Sequence, residues 1–223
     1  DATSAVFAVP LPWDRLDAVT WSWQKVLGGE AQHGMLALSP RAVARLETFR
    51  PERPLPKLFR LTKGGRLDES IFAGNTINTP SMLVVEDALD ALGWVETVGG
   101  LAGTVARCRA NLAAVAAWVA RTPWVEFLAA RPEIRSPTSI CLKITDARVA
   151  TLPDEERRAF VKRMVALLEE RRVAYDIEAH RDAPPGLRIW GGATVETADI
   201  EALLPWLDWA FHVTAAQLSA VEK

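Results

Sequence analysis

Two hydrophobic periods run along the chain, and each marks a kind of element. Val19, Trp21 and Trp23 alternate with Thr20, Ser22 and Gln24, the period of two expected of a strand, before the Gly28–Gly29 pair breaks the run. Lys25 is thereby expected at a strand's end. Gly34 to Ser39 reads as a second strand, and Ser39-Pro40 opens a short helix through about Thr48 with Pro at its first helical position. From Arg50 to Gly74 the abundance of Pro, Arg, Lys and Gly predicts a long surface excursion.

The helical period takes over at Thr79-Pro80, read as an N-cap with Pro at N1, after which Met82, Val85, Leu89 and Leu92 recur at spacings of 3, 4 and 3. After Gly99–Gly100, taken as a hinge between two domains, Val105, Cys108, Leu112, Val115 and Val119 mark a second long helix ending near Pro123. Beyond it the pattern predicts strands over Ser139–Thr145, Tyr175–His180 and Leu187–Trp190. It also predicts a helix over Asp154–Arg172 and another from Asp199 onward, which Pro205 should kink or restart. Thr151 and Asp154 are expected to cap the first of those helices, and Phe160, Met164, Leu167 and Leu168 to form its inward face. Strands alternating with helices argue an α/β or α+β layered fold.

Composition narrows the functional classes. The chain has 223 residues, 49% of them hydrophobic, which excludes disorder and allows one large domain or two small ones. Its 26 Lys and Arg against 28 Asp and Glu leave a net charge of −2 without a long basic cluster, so nucleic acid is not an expected partner. The longest apolar run, Leu112 to Ala120, is about half of the roughly 18 residues that a membrane span needs, so no membrane association is expected. Cys108 and Cys141 lie far apart, without CxxC or Cys/His pairing; a reducing cytosol is expected, and no metal. The nine Trp fall mostly within regular apolar patterns, where large rings serve as core or interface. The opening on Asp1, without an initiator Met or signal peptide, reads as the middle of a domain.

Several residues bear on chemistry. A strand-end lysine beside small residues can lose its charge by desolvation and act as a nucleophilic amine, or can simply point into water, and position alone leaves both open for Lys25. His33 is expected to be a neutral histidine hydrogen-bonded near a turn, and His212 to be solvated. Lys63-Gly64-Gly65-Arg66 lacks the spacing of a phosphate-binding loop and reads as a turn. Both cysteines are expected to fill core.

Three stretches go further: Ser22-Trp23-Gln24-Lys25-Val26-Leu27-Gly28-Gly29-Glu30, Thr76-Ile77-Asn78-Thr79-Pro80-Ser81-Met82, and Ala179-His180-Arg181-Asp182 followed by Gly186-Leu187-Arg188-Ile189-Trp190. In order and spacing the chain resembles, over nearly its whole length, the phosphoserine aminotransferases, which are pyridoxal-phosphate enzymes of class V and fold type I. The resemblance implies an α/β fold. The remainder of an aspartate-aminotransferase-like large domain would occupy residues 1–98 with its linking helix, followed by a smaller α/β C-terminal domain over 99–223. It implies that Lys25 forms the Schiff base with pyridoxal 5′-phosphate, that Gln24 helps bind the cofactor's phosphate, and that Asp1 pairs with its pyridine nitrogen. Asn78 and Thr79 match a pair that reaches from one subunit to the cofactor phosphate of the other, which implies a homodimer with shared sites. On physical grounds Thr79 is equally a helix cap, and a cap facing an anion can do both. Arg188 matches the arginine that grips the substrate α-carboxylate, and His180 and Arg181 match the pair near the substrate phosphate.

The activity implied is transfer of an amino group between O-phospho-L-serine and 2-oxoglutarate, with glutamate as co-product, in serine biosynthesis in the cytoplasm. The family's large domain begins well before the position of Asp1, so the chain is expected to be a C-terminal fragment, inactive without the missing N-terminal segment. Residues 1 to about 95 are then expected to carry unpaired edges and exposed apolar surface. The alternatives are a non-catalytic isolated fragment or dimerisation module, and a related class V aminotransferase with another substrate.

Overall fold

The computed structural model describes residues 1–221, with side-chain surroundings given through Leu218. The chain divides into two compact units, residues 1–98 and Gly99 onward. The division falls at Gly99 and Gly100, whose φ angles of 97° and 66° lie in the left-handed region that glycine enters without steric penalty.

In the first unit, β1 (Ala18–Trp21) pairs antiparallel with β2 (Met35–Leu38), Trp21 opposite Met35. The strand ends four residues before Lys25, short of the expected run through Trp23. Gly29 N–H donates back to the Trp23 carbonyl at 2.9 Å, folding the chain where alternation alone predicts extension. Helix α1 (Pro40–Thr48) starts as expected, with Ser39 Oγ accepting from Ala42 N–H at 3.1 Å. The excursion over residues 50–74 is exposed for most of its length and carries one small hairpin, β3 (Thr62–Lys63) with β4 (Arg66–Leu67). Gly64 and Gly65 form its turn at φ 61° and 85°, so the Lys63–Arg66 stretch is the turn the sequence predicts.

Helix α2 (Met82–Thr97) begins later than expected. Ser81 is its N-cap, so Thr79 is not the cap, and Ser81 makes no side-chain capping bond. The helix turns Val84, Ala88 and Val95 inward, whereas Met82, Leu89 and Leu92 of the apolar stripe are exposed, with Leu83 at 72%. The expected exposed apolar surface over residues 1 to about 95 is therefore present.

The second unit holds the continuous core. Helix α3 (Gly100–Val119) buries Val105, Cys108, Val115 and Trp118. Strands β5 (Val125–Phe127), β6 (Ser139–Ile144) and β7 (Gly186–Trp190) form an antiparallel sheet in the order β5-β6-β7. The short α4 (Ala147–Ala150) precedes α5 (Asp154–Glu170), which buries all four residues of its expected face, and α6 (Thr197–Val221) packs against both α3 and α5.

Some expectations fail here for local reasons. Thr151 does not cap α5; its hydroxyl donates back to the Ala147 carbonyl at 2.8 Å, and Pro153 holds the N-cap position. Residues 175–180 form one bridge, Glu178 to Leu187, instead of a strand, because Asp176 stands at φ 51° and interrupts the extended run. Helix α6 continues through Pro205; the carbonyl that loses its partner belongs to Glu201, an exposed residue. Cys141 is only half-buried, on the face of β6 opposite Ile140 and Leu142.

The tryptophans explain part of the packing. Trp118 and Trp124 both donate their indole N–H to the Asp208 carboxylate, at 3.0 and 2.9 Å, and Trp124 stacks on Phe211 with ring centroids 4.3 Å apart. One carboxylate thus satisfies two polar ring edges that burial would otherwise leave unpaired.

Candidate functional site

The predicted site residues fall into two groups, one in each unit. In the first unit, Gln24 and Lys25 lie on the loop between β1 and β2. That loop is pinned from within, because Val26 and Leu27, immediately after the lysine, are buried at 2% and 9% exposure. It is pinned across its neck as well: Ser22 Oγ donates to the Gln32 carbonyl at 2.8 Å and Gly28 N–H to the Lys25 carbonyl at 3.0 Å. A half-buried lysine on a braced loop has a fixed root, a suitable mounting for a nucleophilic amine.

Gln24 is the second member of this group. Its Oε1 is buried and has no hydrogen-bonding partner among the described residues. A buried amide end without a partner costs free energy unless something else bonds it. Asp1 comes to the same strand, because Ala2 N–H donates to the Thr20 carbonyl of β1 at 2.8 Å. The Asp1 carboxylate accepts from both the Thr3 amide (2.8 Å) and the Thr3 hydroxyl (2.6 Å), which fixes its orientation.

Asn78 and Thr79 are exposed on the segment leading into α2, where Thr76 Oγ1 donates to the Asn78 carbonyl at 2.6 Å. Ser81 N–H, two residues on, donates to His33 Nε2 at 3.2 Å. His33 is thus a neutral, hydrogen-bonded histidine beside a turn, as expected, but its partner is a backbone amide 48 positions away. His212 is exposed, also as expected.

In the second unit, Arg188 is on β7 and His180 and Arg181 are at the start of the turn that leads into it. Ala183 N–H donates to the His180 carbonyl at 2.8 Å, and Arg158 Nη2 holds the Ala183 carbonyl at 2.9 Å, so the turn has a defined shape. Arg181 and Arg188 each already face an aspartate, and His180 Nδ1 accepts from the Asp182 N–H at 3.3 Å. Arg188 Nη2 is 3.4 Å from Asp176, and Asp182 lies 3.6 Å from both Arg181 Nε and His180 Nδ1. These are open contacts, with the Asp176 side chain 90% exposed, and such pairs yield readily to a better-placed anion. The sequence pattern does not point to Asp176, and for Asp182 its adjacency to Arg181 is the one signal.

No protein-family model matches the chain. Among curated proteins it is 54% identical, over 96% of its length, to a phosphoserine aminotransferase of Methanosarcina barkeri, and 55% identical, over the same share, to one of Methanosarcina mazei. Over nearly its whole length the chain is similar to phosphoserine aminotransferases. It spans about half the length of these curated relatives, 55% of each. Its fold matches solved phosphoserine aminotransferases at low identity. The enzyme of Bacillus circulans subsp. alkalophilus gives a TM-score of 0.71 at 19% identity, covering 95% of this chain and 52% of that one. A pyridoxal-phosphate-bound enzyme from Trichomonas vaginalis gives 0.71 at 19%, covering 93% and 52%. The fold is therefore part of that of a pyridoxal-phosphate transferase, a class the sequence expectation names. No helix among the described residues is long and apolar enough to cross a membrane.

Proposed function

We propose that the chain is part of a pyridoxal-phosphate-dependent phosphoserine aminotransferase, moving an amino group between O-phospho-L-serine and 2-oxoglutarate. In this reading residues 1–98 are the C-terminal part of the cofactor-binding domain and residues 99–223 the small domain. The protein works in the cytoplasm as a homodimer with shared sites and needs the preceding half of its large domain for activity. The observation that carries the reading is the 54–55% identity over 96% of the chain to two proteins of that name.

The residues present fit the cofactor. The orphaned amide end of Gln24 lies next to Lys25 in sequence, and an amide turned to present its N–H groups would be satisfied by a phosphate oxygen. When bound, pyridoxal phosphate supplies an aldehyde for condensation with amines and a ring that takes up electron density from the substrate carbon. Lys25 Nζ would be the nucleophile toward that aldehyde and the base that moves the substrate's proton. The Asp1 carboxylate would hold a proton on the ring nitrogen and so favour electron withdrawal from the substrate carbon. Asn78 and Thr79 add donors to the phosphate.

Arg188 binds the α-carboxylate through its planar fork, while His180 and Arg181 take the phosphate of the substrate. Asp176 and Asp182 keep Arg188 and Arg181 partnered, and the substrate's own anionic groups displace them.

The test uses the chain completed with the part of the Methanosarcina mazei relative that lies outside the match. The completed protein is expected to turn over phosphoserine with 2-oxoglutarate, and borohydride reduction followed by peptide mass analysis should place the cofactor on Lys25. Label on another residue, or no turnover, refutes the reading. Turnover of an unphosphorylated amino acid that survives His180→Ala with Arg181→Ala would identify a related aminotransferase instead.

A further inference from the structure

We propose that His33 is a positioning residue that sets the Asn78–Thr79 segment from the loop carrying Lys25. The inference rests on the cofactor-binding reading above and assigns a role within it to a residue outside the predicted site.

The bond itself is specific. Ser81 N–H donates to His33 Nε2 at 3.2 Å, so that nitrogen is unprotonated and the neutral ring carries its proton on Nδ1. Ser81 is the N-cap of α2, and its own side chain makes no capping bond. The imidazole therefore fixes the start of the helix from across the unit. Between Ser81 and Thr79 stands only Pro80, whose ring restricts the backbone, so locating Ser81 locates Thr79 closely.

The other end of the link is equally constrained. His33 has φ 55°, a left-handed conformation that costs a non-glycine residue free energy and is held only where the surroundings dictate it. Its ring meets Trp23 edge-on, with centroids 5.5 Å apart and planes at 69°. The preceding residue, Gln32, is tied by its carbonyl to Ser22 Oγ at 2.8 Å. Trp23 and Ser22 immediately precede Gln24 and Lys25, so the imidazole bridges the root of the lysine loop and the root of the Asn78–Thr79 segment. In a dimer with shared sites, this bridge couples the lysine of one site to the phosphate-binding pair serving the other.

Two measurements test this. Hydrogen exchange at Ser81 in the chain reports the bridge without any cofactor, and spectroscopic titration with pyridoxal phosphate in the completed protein reports its consequence. In His33→Ala and His33→Gly, the second of which also relieves the left-handed backbone, Ser81 is expected to exchange about tenfold faster and the cofactor to bind about fivefold more weakly, the scale of one hydrogen bond. His33→Gln restores an acceptor and should recover both to within about twofold. Because His33 acts through the segment, His33→Ala should weaken binding far less in a Thr79→Ala background than in the parent.

Faster Ser81 exchange with unchanged cofactor affinity overturns the positioning role and leaves the aminotransferase reading intact. So does an equal loss in the Thr79→Ala background, or a failure of Gln to rescue. Absence of cofactor binding in the completed parent protein overturns the functional reading and this role with it, while Ser81 exchange still shows whether the bridge exists.

Discussion

Thr197 donates its hydroxyl proton to Asn111 Oδ1 at 2.7 Å, joining the first turn of α6 to the middle of α3 across 86 positions of chain. Asn111 is fully buried, and its Nδ2 reaches the carbonyls of Gly191 (3.1 Å), Gly192 (3.3 Å) and Val195 (3.0 Å). A single amide thereby pairs the irregular backbone that follows β7. Asn111→Ala removes the partner of those carbonyls, two of them on buried glycines, and of the half-buried Thr197 hydroxyl, and is expected to destabilise the second unit by about 3 kcal/mol. Thr197→Val, which removes one bond, is expected to cost about 1 kcal/mol. Urea unfolding followed by tryptophan fluorescence measures both, and equal losses would refute the ranking.

Cys108 is fully buried on α3, and burial pushes its thiol up to about 11 from an ordinary 9.0. At pH 8 only about one Cys108 in a thousand is then a thiolate, so iodoacetamide should label the half-buried Cys141 well before Cys108 in the native chain. The raised value also fixes the sign of a pH effect. The folded state holds this proton more tightly than the unfolded state, so the thiol's contribution to stability is complete below about pH 9 and is lost as pH rises through 11. The urea midpoint should fall more steeply over that window in the parent than in Cys108→Ala; parallel curves would show that the thiol does not carry the effect.

How much of this was legible in the sequence differs between the two units, for a physical reason. In the second unit Phe160, Met164 and Leu168 of α5 are apolar because they face a core made by the same chain, so periodicity reads burial directly. In the first unit the stripe of Met82, Leu89 and Leu92 identifies α2 as a helix and yet faces outward, because periodicity reports an apolar face without saying what covers it. Lys25 and Gln24 were accessible through resemblance, but their placement on a folded-back loop depends on the Gly29–Trp23 backbone bond, which leaves no mark on side-chain alternation. The His33–Ser81 contact is equally silent, since one partner is a main-chain amide.

The same contrast predicts where a protease cuts. Residues 51–60 are exposed throughout and make few bonds beyond their own turns. Arg50 and Arg53 are followed by proline, which trypsin refuses, so the expected first cuts are after Lys57 and Arg60. The second unit, with its continuous core, should persist as a resistant fragment after the first unit has been degraded. Mass spectrometry of a timed digest decides this, and two units disappearing together would contradict it.

The last prediction ties stability to substrate binding at one glycine. Gly186 opens β7 opposite Lys143 of β6, and a Cβ built there would lie 2.1 Å from the Leu142 carbonyl oxygen, deep inside contact distance and against backbone that cannot swing aside. Gly186→Ala must therefore push β7 away from β6 at the strand's start. Overpacking of this kind typically costs about 1–3 kcal/mol. Arg188 is two residues further on and pairs with Cys141 in the same ladder, so the displacement should reach its guanidinium as well. In the completed protein Gly186→Ala is expected to raise the KM for phosphoserine by more than its loss of stability explains, while Gly64→Ala, at a hairpin turn with open space around it, should leave KM unchanged. If Gly186→Ala lowers stability without moving KM, the position of Arg188 does not depend on the β6–β7 register at Gly186, or the proposed carboxylate-binding role of Arg188 fails.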